Sequence, residues 1–285
     1  MLPVRIIPCL DVRDGRVVKG VRFRGLEDQG DPAALALAYE EQGADEVVVL
    51  DVTATPEGRG TRLDTVAAVR ARLSVPLTVG GGIGEIEDAA ALLEAGADKV
   101  AVNTAALRQP ALLTDLAARF GSQCVVVSLD ALRRGDGPGV DSGYEVVVLS
   151  GTRPVARDAV AWAREAVERG AGEILLTSID RDGTRSGYEL TLLRAVRSAV
   201  SVPIVASGGA DSPEHMTDAV RAGADAVLAA SIFHQGNWTV EGIKGALAAL
   251  GVSVRPGYSD ARGRAEVAGA QRPARIRDGA EERAL

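Results

Sequence analysis

The stretch Thr78–Thr104, TVGGGIGEIEDAAALLEAGADKVAVNT, predicts one strand–helix–strand unit of a larger fold. It begins with a short apolar strand that ends in three glycines. A segment with helical spacing follows, and a second strand ends in Asn103 and Thr104. A glycine turn after a strand leaves backbone N–H groups unpaired and lets a ligand approach the main chain. The turn therefore suits a phosphate, although a tight strand-to-helix connection uses the same glycines.

The same unit occurs again at Ile204–Ser231, IVASGGADSPEHMTDAVRAGADAVLAAS. Gly81 and Gly208 are 127 positions apart, and so are Thr104 and Ser231. A Ser-Val-Pro tripeptide before each unit recurs at the same spacing. The chain is therefore built from two related halves.

Eight short, nearly continuous apolar runs predict parallel strands with both faces buried. They are Arg5–Leu10, Glu46–Leu50, Leu77–Val79, Lys99–Val102, Cys124–Leu129, Glu173–Thr177, Ile204–Ala206 and Ala226–Ala229. Helical spacing follows the N-cap pair Asp31-Pro32 and recurs at Leu63–Leu73, Ile86–Leu93, Pro110–Phe120, Val155–Val167, Leu190–Val200, Pro213–Ala222 and Val240–Leu250. Strands alternating with helices over about 250 residues predict an α/β fold, the (β/α)8 TIM barrel. A doubly wound open sheet is the alternative, but it gives no reason for two matched halves.

The repeat loses its register once, because Asp11 corresponds to Asp130 at a spacing of 119 positions. The insertion Arg133–Pro154 follows the fifth predicted strand. It predicts a loop that contains a hairpin, since Tyr144–Leu149 has strand propensity between glycine-rich turns.

We expect one barrel domain at residues 1–253 and a disordered C-terminal tail at residues 254–285. The tail is rich in Arg, Ala, Gly and acidic residues and shows no apolar periodicity. No function is assigned to it.

Composition excludes several classes of protein. The net charge of −7 argues against a general nucleic-acid binder. No apolar run is long enough to span a bilayer and no signal-peptide pattern is present, so a cytoplasmic protein is expected. Cys9 and Cys124 are interpreted as reduced core residues in strands, and His215 and His234 as residues of helix and loop surfaces. Neither a metal site nor a cofactor is predicted.

Two aspartates are the candidate catalytic residues. Asp11 ends the first predicted strand and Asp130 ends the fifth, so in an eight-stranded barrel they face one another at the C-terminal end, where such barrels have their active sites. Opposed carboxylates form a general acid/base pair when one is kept protonated. The alternative is that each caps a loop, but symmetry-related positions on opposite strands favour catalysis. Asp51, which Ser178 replaces in the repeat, is a weaker candidate that orients its neighbours.

The repeat also predicts two phosphate sites on opposite rims of the cleft. The first consists of Gly82, Asn103 and Thr104; the second consists of Asp182, Gly183, Thr184, Gly209, Ala230 and Ser231. The glycines alone could serve only tight turns, but that does not explain why hydroxyl residues end the fourth and eighth strands. The substrate is therefore expected to be elongated, with a phosphate at each end.

Further polar residues remain open to two interpretations. Lys19, after the first strand, could reach the site as a mobile cation, whereas a Schiff-base role is disfavoured for a loop lysine. Thr177 and Ser207 end the sixth and seventh strands and either bind the substrate or satisfy the core.

Four charged residues stand where strands begin, at the opposite end of the barrel. They are Arg5, Glu46, Lys99 and Glu173. Such residues are usually solvated, but two of each sign could instead close a neutral ring across the barrel bottom.

Taken together, these motifs resemble the cyclase subunits of imidazole glycerol phosphate synthase, a histidine-biosynthesis enzyme. RIIPCLDVRDGRVVKG, TVGGGI, GADKVAVNTAA, GAGEILLTSIDRDGTRSGY and ASGGA carry the resemblance, which covers about residues 1–254. It implies a lyase that uses ammonia to convert a bisphosphorylated aminoimidazole carboxamide ribonucleotide (PRFAR) into imidazole glycerol phosphate and AICAR. It also implies a heterodimer with a glutaminase subunit, which docks on the barrel bottom and supplies the ammonia through the barrel.

The resemblance assigns roles to the residues already singled out. Asp11 and Asp130 become the catalytic pair, and Lys19 lies on a mobile loop that closes over the substrate. The glycine, asparagine and hydroxyl residues above become phosphate ligands, the four charged residues become an ammonia gate, and Asp98 faces the partner. The loop Arg133–Val140 and the tail depart from the family.

The nearest alternative is the isomerase that precedes this enzyme in the pathway, which is also a two-phosphate half-barrel repeat with aspartates at the same strand ends. CLDV and RDGTRSGY distinguish the two, since that isomerase favours Ala-Ile-Asp at the first and tends to have leucine and proline at the second. A non-catalytic phosphate-binding scaffold for the glutaminase would require the loss of one aspartate, and both are present.

Overall fold

The computed structural model describes residues 2–21, 24–135 and 139–256. Its strands are β1 (Arg5–Arg13), β2 (Arg16–Val21), β3 (Arg24–Gly30), β4 (Val47–Asp51), β5 (Leu77–Gly80), β6 (Lys99–Val102), β7 (Val125–Arg133), β8 (Tyr144–Val148), β9 (Arg153–Asp158), β10 (Glu173–Ser178), β11 (Ile204–Ser207) and β12 (Ala226–Ala229). Its helices are α1 (Pro32–Glu41), α2 (Ala54–Glu57), α3 (Leu63–Arg70), α4 (Ile86–Glu94), α5 (Thr104–Arg108), α6 (Ala111–Phe120), α7 (Ala159–Glu168), α8 (Leu190–Ala199), α9 (Pro213–Arg221), α10 (Ser231–His234) and α11 (Val240–Ala249). The predicted tail lies outside the described residues from position 257 onward.

Eight of the strands close into a parallel barrel. Around it the order is β1, β4, β5, β6, β7, β10, β11 and β12, with β12 paired to β1 and β7 paired to β10. The predicted (β/α)8 barrel is thereby confirmed. Because β1 and β7 are four strands apart in either direction, they lie on opposite sides, as expected for the strands that carry Asp11 and Asp130.

Alternating side chains connect the two ends of the barrel. Along β1, Ile6 and Leu10 pack in the layer between strands and helices, whereas Ile7 and Cys9 pack in the barrel interior. Arg5 and Asp11 have the same parity as the interior residues. A strand rises about 3.3 Å per residue, so these two side chains lie about 20 Å apart along one interior face. The charged Arg5 near the start of β1 and the polar Asp11 near its end therefore both point into the barrel interior.

A Gly-Ala-Asp tripeptide fixes the start of three barrel strands. Its aspartates are Asp45, Asp98 and Asp225. Their carboxylates accept hydrogen bonds from the backbone N–H groups of Ile6, Leu77 and Ile204 in the preceding barrel strand, at 2.8, 2.8 and 2.9 Å. Their own N–H groups donate to the carbonyls of the same three residues. Each tripeptide thus sets the register of one strand pair.

The three aspartates have different cationic partners. Asp98 pairs with Arg70 and Asp225 with Arg197, each at 2.9 Å and partly exposed. Asp45 pairs at 2.8 Å with Lys244 of α11, and both side chains are buried. Of these three pairs, only Asp45–Lys244 is shielded from water.

Two hairpins extend the barrel at its C-terminal end and correct the predicted boundaries. β1 continues past Leu10 because its end pairs with β2, which in turn pairs with β3. β7 continues past Leu129 because it pairs antiparallel with β8, which confirms the hairpin predicted in the insertion. Asp11 and Asp130 therefore lie within strands and do not end them.

Three local predictions were wrong. The helix predicted from Val155 begins at Ala159, because 153–158 form β9 and the Asp158 side chain caps the helix by accepting from the Ala161 N–H. Lys19 lies in β2, where its backbone is paired with β3, and not in a loop. Cys124 belongs to a 3-10 turn before β7.

The buried Asp45–Lys244 pair leads to a stability prediction. Asp45→Ala leaves a buried ammonium group without its counter-charge, so we expect the free energy of unfolding to fall by about 3–5 kcal/mol. The matched control Asp225→Ala removes the same backbone hydrogen bond beside a partly exposed arginine and should cost about 1–2 kcal/mol. Urea unfolding of both variants measures the difference, and equal losses would contradict the role given to burial.

Candidate active site

A cavity of about 550 Å³ opens at the C-terminal ends of the barrel strands. It brings together both predicted catalytic aspartates and all of the predicted phosphate and hydroxyl positions except Lys19 and Thr184. These are Asp11, Gly82, Asn103, Thr104, Asp130, Thr177, Asp182, Gly183, Ser207, Gly209, Ala230 and Ser231. The side chain of Lys19 lies outside the described part of the chain.

Asp130 has an electrostatic environment suited to holding a proton. Its carboxylate accepts a hydrogen bond from Asn103 Nδ2 at 3.0 Å. Burial and the nearby charges of Asp182 and Asp11 raise its pKa from 3.8 to about 7, against the opposing effect of the Asn103 hydrogen bond. At neutral pH this carboxyl group is thus divided between its two protonation states.

Asp11 faces the same cavity from β1 and is buried. Its carboxylate oxygen Oδ1 lies 3.6 Å from the thiol of Cys9, one interior position further down the strand. Two buried carboxyl groups on opposite strands therefore line one cleft, an arrangement suited to general acid/base chemistry.

The first glycine turn is shaped for close approach of the main chain. Gly82 has φ +62°, and a Cβ on it would lie 2.3 Å from the carbonyl oxygen of Arg59. Its N–H donates to Thr55 Oγ1 at 3.0 Å. Nearby, Thr104 begins helix α5, and its hydroxyl accepts the Leu149 N–H at 3.1 Å.

The second glycine turn repeats this geometry. Gly209 has φ +95°, and a Cβ on it would lie 2.3 Å from the carbonyl oxygen of Gly187. Ser231 begins helix α10, as Thr104 begins α5. The two short helices were not predicted, although both start at the hydroxyl residues that the repeat had matched. Each half-barrel thus presents a glycine turn and a helix start to the same cavity.

Asp51 orients a loop, as expected. Its buried carboxylate accepts from the Ala54 N–H at 3.0 Å and from Arg59 at 2.7 and 3.1 Å. Sequence reasoning did not single out Arg59, which also lines the cavity.

At the other end of the barrel the four charged residues form a closed ring. Arg5 contacts Glu46 at 2.7 Å and also pairs with Glu173. Lys99 contacts Glu46 at 2.9 Å and Glu173 at 2.7 Å. Burial alone would raise the pKa of Glu173, but the charges of Arg5 and Lys99 outweigh it and hold that pKa below its usual value. The ring, one of two interpretations left open by the sequence, is present.

Repeat positions explain which strands supply the ring. Glu46, Lys99 and Glu173 each follow a Gly-Ala-Asp or Gly-Ala-Gly tripeptide, and the fourth equivalent position is Ala226. Ala226 is the neighbour of Arg5 in the β12–β1 pairing. The small side chain leaves room for the arginine, which takes the fourth place in the ring.

The remaining predicted residues have more local roles. Asp98 lies beside Arg70 at the barrel bottom, on the side predicted to face a partner. Both histidines are half-buried and lie in helices, His215 in α9 and His234 in α10; His234 Nδ1 lies 2.5 Å from the hydroxyl of Tyr39 and joins α10 to α1. Neither cysteine forms a disulfide.

Across residues 2–21, 24–135 and 139–256, no three His, Cys, Asp or Glu side chains are grouped so as to hold a metal ion. Over the same ranges, no helix is long and apolar enough to cross a membrane.

Sequence reasoning missed the hairpin of β1 and β2 and found only part of the insertion that forms β8 and β9, next to the site. Asp14 and Gly15, both with positive φ, form the tight turn between β1 and β2. An Asp-Gly pair between apolar runs is a hairpin signal that could have identified it. At the other hairpin, Ser150 lines the cavity and donates to the carbonyl of Val52 at 2.8 Å.

The fold and the cleft define a class: (β/α)8-barrel enzymes in which two half-barrels each present a glycine turn to a cleft with two opposed aspartates. A family model described as "Histidine biosynthesis protein" matches residues 5–239, and the chain belongs to this family. Two relatives from different strains of Mycobacterium tuberculosis, both named imidazole glycerol phosphate synthase subunit HisF, are 56% identical over 256 residues. The match covers 89% of this chain and 96% of each relative. The family inferred from the sequence motifs is confirmed.

The raised pKa of Asp130 leads to a pH prediction. Below about pH 4 this group is protonated in both the folded and the unfolded chain, and above about pH 7 it is ionised in both, so wild-type stability is lost as pH rises between these values. Asp130→Asn has no such loss, because it stays neutral. We expect its thermal unfolding midpoint to exceed that of the wild type at pH 8, by the equivalent of up to roughly 4 kcal/mol.

The same comparison at pH 4 is the control, and there the advantage of the variant should vanish. A difference between the two proteins that does not change with pH would contradict the raised pKa.

Proposed function

We propose that the cleft carries out the ammonia-dependent cyclisation expected of this subunit family, converting PRFAR into imidazole glycerol phosphate and AICAR. The observation that carries the proposal is the placement of Asp11 and Asp130 on opposite strands of one cleft, between two glycine turns. The match to relatives named as subunits of imidazole glycerol phosphate synthase supports the same reaction.

The two aspartates move protons in this reaction. The ammonia nitrogen gives up protons as it forms two carbon–nitrogen bonds, and the carbonyl oxygen that it displaces leaves as water. The carbon–nitrogen bond to AICAR breaks, and the nitrogen that departs receives one proton. Asp130, with a pKa of about 7, can donate a proton near neutral pH and take it back later. Asp11 acts as the complementary group on the opposite face of the substrate.

The glycine turns hold the ends of the substrate. Gly82, Asn103 and Thr104 bind one phosphate, while Asp182, Gly183, Gly209, Ala230 and Ser231 position the other. Backbone N–H groups at turns and helix starts suit phosphate oxygens. Thr177 and Ser207 contact the middle of the substrate, and Lys19 of β2 supplies a positive charge to it.

The ring at the barrel bottom serves as the entrance for ammonia. The four ion pairs of the ring exclude bulk water. The side chains can move apart without leaving a net charge, because two are positive and two are negative. A glutaminase subunit docks over Arg5, Glu46, Lys99 and Glu173, with Asp98 at the interface, and supplies ammonia to the barrel interior. Location in the cytoplasm and a single domain at residues 1–253 stay predictions.

The direct test supplies PRFAR and an ammonium salt to the isolated chain. We expect turnover, and a loss of at least about 100-fold in kcat for Asp11→Asn and for Asp130→Asn, since each removes a proton-transferring group. Product formation is followed by the release of AICAR at constant free ammonia. Full activity in Asp130→Asn would overturn the acid/base assignment.

Two controls separate the neighbouring hypotheses. Glutamine in place of ammonium should give no turnover until a glutaminase subunit is added. The isomerase alternative predicts isomerisation of the preceding bisphosphate without ammonia, and that activity should be absent.

A further inference from the structure

The segment 52–61, between β4 and α3, wraps around the first glycine turn. Thr61 Oγ1 donates to the Gly81 carbonyl at 2.6 Å, and the Gly82 N–H donates to Thr55 Oγ1 at 3.0 Å. On the other side the carbonyl of Arg59 closes against Gly82. The direction of the Gly82 N–H therefore depends on where this segment lies.

Arg59 fixes the position of the segment 52–61 through its contact with Asp51. Its two terminal nitrogens contact the Asp51 carboxylate at 2.7 and 3.1 Å, and one of them also donates to Thr53 Oγ1 at 2.7 Å. Its Nε contacts Glu57 at 2.6 Å. A two-pronged guanidinium–carboxylate contact fixes orientation as well as distance.

The Arg59–Asp51 ion pair also neutralises the negative charge of Asp51 next to the proposed first phosphate site. The Asp51 side chain is 2% exposed, whereas that of Arg59 is 30% exposed and lines the cavity. A buried carboxylate without its counter-charge is costly and repels an approaching phosphate. The guanidinium thus removes a negative charge that would otherwise oppose binding on this rim.

The second half-barrel lacks an equivalent of the Arg59–Asp51 ion pair. Ser178 occupies the position equivalent to Asp51, so the carboxylate that Arg59 contacts has no counterpart at that strand end. Its glycine turn is held by the main chain, with the Gly187 N–H donating to the Gly209 carbonyl at 2.8 Å. The two rims, equivalent in sequence, are held by different interactions.

We propose that Arg59 is a positioning residue for the first phosphate: through Asp51 it holds the segment 52–61 against the Gly81–Gly82 turn and cancels the buried charge. The proposal rests on the proposed function, since it concerns the binding of the same bisphosphate. It assigns Arg59 an effect on substrate affinity and not on the chemical step.

The test compares Arg59→Gln with a matched control, Arg62→Gln. Arg62 lies close to Arg59 in sequence and pairs with Asp64, but the side chains of both Arg62 and Asp64 are more than half exposed. With ammonium as the nitrogen donor, Arg59→Gln should raise KM for PRFAR about tenfold, because small misplacements at a binding site are costly. Its kcat should stay within about twofold of the wild type, and Arg62→Gln should match the wild type in both.

The double variant Asp51→Asn/Arg59→Gln separates positioning by charge from a general loss of folding. It leaves no buried charge at position 51, so the variant should fold. Its KM should lie between that of Arg59→Gln and that of the wild type. Should Arg59→Gln not fold, Arg59→Lys replaces it, with an expected rise in KM of about threefold because the ammonium keeps the charge but loses the fork.

A KM equal to that of Arg62→Gln, or a fall in kcat at unchanged KM, would overturn the proposal. A double variant no better than Arg59→Gln would overturn the charge component. Failure of the wild-type chain to turn over PRFAR with ammonium would instead refute the proposed function, so the two failures are distinguishable.

Discussion

The structure depends on one geometric constraint, the closure of eight parallel strands whose side chains alternate between the helix layer and the barrel axis. Because the alternation has a period of two, a residue at the start of a strand and a residue six positions later share the axis. Arg5 and Asp11 on β1 illustrate this, since one joins the ionic ring and the other lines the cleft. The apolar interior between them, with Ile7 and Cys9, separates two polar layers within a single barrel.

The internal sequence repeat explains the symmetry of the cleft, and positions where the two halves differ explain its asymmetry. Matched glycine turns bring the main chain of each half to the lining of the cleft, which suits a ligand with two like ends. Asp51 against Ser178, and Ala226 in place of a fourth ring charge, are positions where the halves differ. In both cases an arginine from the first half fills the role: Arg59 neutralises the extra carboxylate, and Arg5 completes the ring.

The sequence predicted the barrel, the two halves, the ring as one of two options, and the two aspartates and two glycine turns that line the cleft, because these depend on strand periodicity and repeat spacing. It missed features that depend on tertiary contacts. The helix predicted from Val155 lost its first turn to β9, since pairing with β8 outweighed local helical spacing. Arg59 carries no motif of its own, and only its contact with buried Asp51 distinguishes it from the neighbouring Arg62. The pKa of Asp130 likewise follows from burial and neighbouring charges that spacing alone does not give.

The central claim is that the cleft holds one substrate by a phosphate at each end. Calorimetric titration of the wild-type chain, without ammonia, with PRFAR and with its two singly dephosphorylated forms tests this most directly. We expect the loss of either phosphate to weaken binding at least about 100-fold, since the proposed sites would each give a phosphate several charge-assisted hydrogen bonds of about 1.5–3 kcal/mol. An affinity unchanged by removal of one phosphate would contradict the two-site account.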